Sequence, residues 1–146
     1  MEMLQYLINK TLEVEQLKRE RDNYNLGYLI EDLSKYPENA CVEIKPFNLY
    51  PTGFCSYRGY YSDLSIDYTL DEYSGLSCGQ LLEKAKECVG KVFQGYKGGD
   101  FKMTKHSVIW LANYSRTTDA ILTGVKDRFG DGSFLELTWK IAEESK

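Results

Sequence analysis

The sequence predicts an α+β fold, with amphipathic helices at the amino end and one central helix, all packed on an antiparallel sheet of about five strands. Three observations predict it. Apolar residues recur at helical steps before residue 36, they do so again between 77 and 94, and elsewhere they alternate with polar residues. The 146 residues read as a single domain, 1–146, with a helical part over 1–36 and a sheet with its central helix over 40–141.

Residues 1–21 carry Leu4, Leu7, Ile8, Val14 and Leu17 at helical spacing among Glu, Lys and Arg. The stripe is narrow, which suits either packing on the chain's own sheet or pairing with another subunit. DNYNLG loosens this helix. Leu26, Leu29, Ile30 and Leu33 begin a second, which Pro37 ends because the residue before a proline avoids helical backbone. Val42 and Ile44 alternate in a first strand, stopped by Pro46. Residues 47–63, FNLYPTGFCSYRGYYSD, read as an aromatic, glycine-rich connection whose one cation is Arg58. Leu64, Ile66 and Tyr68 then alternate with Ser65, Asp67 and Thr69, the pattern of a half-buried strand.

Ser77 opens the central helix with a capping box, since Gln80 can reach back to the free amide. Leu81, Leu82, Ala85, Val89 and Val92 are expected on one buried face, with Gly95 following the helix end. A turn at Lys97-Gly98-Gly99 leads to short strands near 101–103 and 108–113. After a polar SRTTD loop, the segments 120–126 and 134–141 are predicted as strands joined across Gly130-Asp131-Gly132.

Composition narrows the function classes. A net charge of −4 and a pI near 5.1 argue against a general DNA or RNA binder, which would show a basic face. A small phosphate ligand needs only a few local cations and remains compatible. Cysteines at 41, 55, 78 and 88 form no CxxC pair and share the chain with one histidine, so neither a zinc site nor a secreted disulfide framework is expected. The amphipathic amino end does not read as a signal peptide, and no apolar run approaches the ~18 residues of a membrane span. A cytoplasmic protein with reduced thiols and no membrane partner is the expectation. Twelve tyrosines offer flat apolar bodies with polar tips, as ligand and subunit interfaces use.

The stretch from Gly95 to Tyr114 concentrates these features. It sets Tyr96, Phe101, Trp110 and Tyr114 beside Lys97, Lys102, Lys105 and His106. Aromatic faces stack on bases and cations meet phosphate oxygens, so the mixture suits a nucleotide-like ligand. The same residues also suit a hairpin that turns its aromatics into the core. No catalytic constellation accompanies them. The glycines of GKVFQGYKGG lack the spacing of a phosphate loop, GxSxG is missing, and nothing ties His106 to a cysteine. Asp127 and Asp131 flank a turn without the further oxygen ligands a cation needs. No enzyme activity, metal or cofactor is therefore expected.

Two segments carry a more specific signal. SYRGYYSDLSIDY, together with the run from CGQLLEKAKECVGKVFQGYKGGDF through SVIWLANY, resembles the first-described anti-Thoeris sponge family over about residues 56–128. These are phage-encoded proteins that sequester a cyclic ADP-ribose isomer made by bacterial TIR proteins. The resemblance implies an α+β fold, dimers or higher homo-oligomers, and nucleotide pockets between subunits in the host bacterial cytoplasm. Some members also hold cyclic di- or trinucleotides at separate sites. Carried over by motif, Phe101 would stack on adenine, Asn113 would read an amide-matching edge or the ribose, and Arg128 would grip the pyrophosphate. Arg58 is placed by its motif position and charge, Arg116 by its neighbourhood, and Tyr60 and Tyr61 complete the candidate set.

Each of these residues also has a plainer role open to it. Arg58 can pair with Asp63, Asn113 can cap the turn at Tyr114, and Phe101 can be core, as Trp110 and Trp139 are expected to be. The extra amino-terminal residues and the four cysteines depart from the family, and they bear on oligomer geometry. The alternative function is a protein-binding inhibitor of a host defence enzyme, acting through an acidic, tyrosine-rich surface.

Overall fold

The computed structural model describes residues 3–7, 9, 24–45, 47–57, 60–94, 99–112 and 120–141, with the backbone alone at 56, 57 and 60–62. The strands are β1 (Cys41–Ile44), β2 (Tyr50–Tyr57), β3 (Tyr60–Thr69), β4 (Val92–Gln94), β5 (Asp100–Lys102), β6 (Ile109–Leu111), β7 (Ala120–Asp127) and β8 (Phe134–Ile141). Helices α1 (Leu26–Leu33) and α2 (Cys78–Cys88) and a 3-10 turn (Glu72–Ser74) are all short. Residues 3–7 are also helical, and Met3, Leu4, Tyr6 and Leu7 are exposed there. No helix among the described residues is long and apolar enough to cross a membrane.

The expected architecture, helices packed on an antiparallel sheet of about five strands, does not form. The fold is mostly sheet. Six strands make one mixed sheet in the order β1-β8-β7-β6-β3-β2. β1 runs parallel to β8 and β3 runs parallel to β6, while the remaining neighbours are antiparallel. The two outer strands then meet again. Ile44 and Leu49 exchange backbone hydrogen bonds, at 2.7 and 3.4 Å, across the turn between β1 and β2. The sheet thereby curls into a nearly closed barrel, which leaves little free strand edge. β4 and β5 form a separate two-stranded ribbon.

The error has identifiable causes. β2 lies within the segment read as a connection, because Pro51 and Gly53 interrupt any strand pattern. The ladder to β3 absorbs them in a register shift between Pro51 and Gly53, and β2 stands at the end of the strand order, where a missing N–H is tolerated. β4 was expected to be the last turn of the central helix. α2 stops at Cys88 instead, because Gly90 takes φ +81, a left-handed conformation that ends helices. Val89 and Val92 are consequently exposed rather than part of the buried helix face, whereas Leu81, Ala85 and Cys88 are buried. Gly95 lies outside the described residues.

Where local chemistry decides, sequence and structure agree. Asn25 caps α1 by accepting from the Tyr28 N–H at 3.1 Å, and α1 ends before Pro37. At α2 the Ser77 Oγ accepts from the Gln80 N–H and the Gln80 Oε1 accepts from the Ser77 N–H, forming both halves of the capping box. Alternation sends Val42 and Ile44, Leu64 and Ile66, Leu122, and Leu135 and Leu137 into one core, which Leu26, Leu29 and Leu33 of α1 share, and it buries Ala120 as well.

Candidate functional site

Three groups of side chains stand out, and the sequence had pointed to parts of two. In the first, Phe101 on β5 pairs in register with Phe93 on β4, and it is half-buried. Lys91 lies 5.0 Å from the Phe93 ring centre, at cation–π range. Backbone bonds from Gly90 to Met103 and from Met103 to Lys91, both 2.8 Å, extend the ribbon and seat Met103 in the core. The parallel pairing of Leu64 with Ile109 and of Ser65 with Trp110 sets β3 beside β6, and so brings together the described parts of the two resemblance segments. The Trp110 Nε1 donates to the Asp63 Oδ2 at 2.9 Å and joins the two segments through side chains. Trp110 and Trp139 are half-buried, and among the described residues the buried Trp139 Nε1 has no hydrogen-bond partner.

In the second group, Arg128 follows the end of β7 and meets a pair of carboxylates. Glu43 and Glu136 are register partners across the parallel β1–β8 pair. The Arg128 Nη2 donates to the Glu43 Oε2 at 2.7 Å and to the Glu136 Oε2 at 2.9 Å, and its Nε donates to Glu136 at 3.2 Å. Its guanidinium also stacks 4.0 Å from the centre of the Phe134 ring, with Phe129 edge-on beside that ring. Lys45 adds a 3.3 Å ion pair to Glu43. Burial pushes the Glu43 carboxyl up, but the hydrogen bonds from Arg128 and Lys45 outweigh it and hold the group below its ordinary range. The hydrogen bonds that Arg128 donates to Glu136, and then to Glu43, raise its pKa further above its ordinary value. Arg128 therefore serves as a clamp that makes two adjacent carboxylates compatible. A phosphate reaching its Nε or Nη2 would have to displace a carboxylate.

The third group is a cleft of about 320 Å³ lined by Tyr50, Tyr73, Phe134, Leu76, Glu72 and Gln80, among others. The Tyr50 hydroxyl lies 3.4 Å from the Glu43 Oε1, so the cleft abuts the charged cluster. Burial, followed by the charges of Glu43 and Glu72, raises the Tyr50 pKa and keeps it a neutral donor.

Of the residues singled out from sequence, Phe101 and Arg128 belong to separate groups. Arg58, Asn113 and Arg116 lie outside the described residues, and Tyr60 and Tyr61 are placed in β3 without described side chains. Asp63, weighed as a partner for Arg58, accepts from Trp110. Asp127 and Asp131 are turn residues: Asp127 accepts from the Gly130 and Gly132 amides, and Asp131 accepts from the Ser133 amide and hydroxyl. Among the described residues no His, Cys, Asp and Glu side chains group to hold a metal ion. Burial raises the thiols of Cys78 and Cys88, which makes them poor nucleophiles.

Sequence reasoning missed Glu43, Glu136, Tyr50, Tyr73 and Phe134. Glu43 reads as an ordinary outward residue of CVEI, and only the parallel strand pairing makes it face Glu136. Comparison with protein-family models, curated proteins and solved structures finds no match for this chain.

Proposed function

We propose that this protein sequesters a cyclic nucleotide-type signal, a cyclic ADP-ribose isomer or a cyclic di- or trinucleotide, without degrading it. It would act as a phage-encoded counter-defence protein in the host cytoplasm and as a homo-oligomer. The observation that carries this reading is the union of the two resemblance segments. β3 and β6 lie parallel, the Trp110–Asp63 bond ties them together, and Asp100 and Phe101, the end of GYKGGDF, begin β5 of the ribbon. Phe101 is half-buried on a short ribbon, and a phenyl ring is the kind of group on which an adenine stacks, at about 1–3 kcal/mol per base.

Arg58, Asn113, Arg116, Tyr60 and Tyr61 belong to the proposed binding set through the resemblance. Arg128 would contribute through its unengaged donor, or by exchanging a carboxylate for a phosphate. Sequestration requires an affinity below the signalling concentration, and nanomolar binding corresponds to about −12 kcal/mol.

The test is to incubate the purified protein with lysate from TIR-activated cells, wash it, denature it with heat, and identify the released compound by mass spectrometry. An intact cyclic nucleotide mass is expected, with Phe101→Ala retaining less of it while unfolding at the same denaturant concentration. A cleaved product would indicate turnover instead, and an empty protein would overturn the reading.

A further inference from the structure

The third group supports a separate inference, independent of nucleotide sequestration. We propose that the cleft between β1, β2 and the 3-10 turn is a docking site for a basic side chain, guanidinium or ammonium, of a partner polypeptide.

The cleft has aromatic walls. Tyr73 is 89% exposed, and its backbone is held in place: the Asp71 carboxylate accepts from the Tyr73 N–H at 3.0 Å and from the Ser74 hydroxyl at 2.8 Å, so the turn that carries the ring is capped. Opposite stands Tyr50, against which Gly75 packs so closely that an added Cβ would come within 2.6 Å of the Tyr50 Cβ. Phe134 forms a further wall, held by Arg128 on its ring. A large aromatic exposed on a capped turn contributes little to the folded chain and leaves its ring available to a ligand.

The charge of the cleft selects that ligand. Among the described residues its lining includes Glu72 and no lysine or arginine. Glu43 stands behind the Tyr50 hydroxyl, and Arg128 lies on the Phe134 ring, engaged with Glu43 and Glu136. Arg128 and Lys45 already pair with Glu43, so the charge an anionic group would meet in the cleft is the Glu72 carboxylate. A cation would meet ring faces and a carboxylate, the arrangement that recognises ammonium and guanidinium groups. The surroundings indicate a polypeptide as the carrier. Leu70 beside the turn is 81% exposed and Phe129 beside Phe134 is 66% exposed, so exposed apolar side chains neighbour two of the cleft's walls, where the flanks of a bound chain would rest.

The experiment titrates the full-length protein with the blocked peptide Ac-Gly-Arg-Gly-NH2 and follows the tyrosine ring resonances by NMR. Saturable shifts of Tyr50 and Tyr73 are expected. The isosteric citrulline peptide should bind at least about fivefold more weakly, as should the Tyr73→Ala variant. Glu72→Gln should weaken binding about two- to fivefold, the range of an exposed ion pair. Both substituted side chains project from an exposed turn, so an unchanged urea midpoint serves as the control for folding. Equal binding of the citrulline peptide, undiminished binding by both variants, or no shift at all would overturn the proposal. So would adenosine monophosphate moving the same resonances, which would identify the cleft as an anion site. These outcomes are distinct from those of the retention assay, in which Phe101 is the reporter.

Discussion

Gly75→Ala isolates a single close approach. Gly75 sits at φ −74 and ψ 153, which any residue adopts, so the substitution causes no backbone strain. Its cost is purely one of space. The new methyl would lie 2.6 Å from the Tyr50 Cβ and 3.5 Å from its Cγ, whereas carbon atoms prefer about 3.5–4.0 Å. Tyr50 or the turn must therefore move by about 1 Å. Tyr50 is fixed by its pairing with Thr69, and the Leu76 N–H bonds to the Pro51 carbonyl at 2.8 Å, so neither side yields freely. Overpacking of this kind costs about 1–3 kcal/mol, and the stiffer unfolded chain returns about 0.4–1 kcal/mol. The centres of these ranges give an expected net loss of roughly 1.3 kcal/mol, between limits of roughly 0 and 2.6 kcal/mol, a fall in Tm of several degrees for a domain of this size. Urea denaturation followed by the fluorescence of Trp110 and Trp139 measures it. A midpoint equal to that of the parent would refute the argument, because it would mean that the β2 end and the turn separate without resistance.

Further predictions concern the core, the charged cluster and the joined segments. Leu137→Ala removes a fully buried side chain from β8 and should cost about 2–5 kcal/mol in the same denaturation assay. Glu43 has a folded pKa below its ordinary 4.5, so its stabilisation is present above that value and is lost as pH falls through the folded pKa. Glu43→Gln should therefore be less stable than the parent at neutral pH and should show a flatter acid limb, measured as urea midpoint against pH; parallel profiles would remove Glu43 from the account. Asp63→Ala deprives the Trp110 indole of its acceptor and should cost about 1 kcal/mol, with a shift in tryptophan emission.

The sequence shows which face a residue occupies more readily than which strand it lies beside. Val42, Leu64, Ile66, Leu135 and Leu137 were all legible as inward-facing, because a period of two specifies a face. That pattern is the same for a parallel and an antiparallel neighbour, so the β1–β8 and β3–β6 pairings could not be read from it. Ser77 and Gln80 were legible because a capping box is complete within four residues. β2 was hidden by a proline and a bulge, and the early end of α2 by the apolar Val89 and Val92, which extend the helical spacing beyond the point where Gly90 stops the helix. At the candidate site, aromatic and basic residue types suggested Phe101. Nothing local marked Arg128 as the partner of Glu43, which is distant in sequence and adjacent only through strand order.

The pairing of β1 with β8 also bears on how the protein is made. Cys41 waits for Phe134, and no other strand in the sheet occupies that side of β1. At a synthesis rate of about 5–20 residues per second, β1 leaves the ribosome on the order of 5–20 s before its partner exists. During that interval Val42 and Ile44 lie on an unpaired edge, open to chaperones or to a neighbouring nascent chain. The barrel closes only after β8 has been made. A message truncated before Phe134 would therefore yield a protein lacking the second strand of its sheet, which the cell would degrade rather than use.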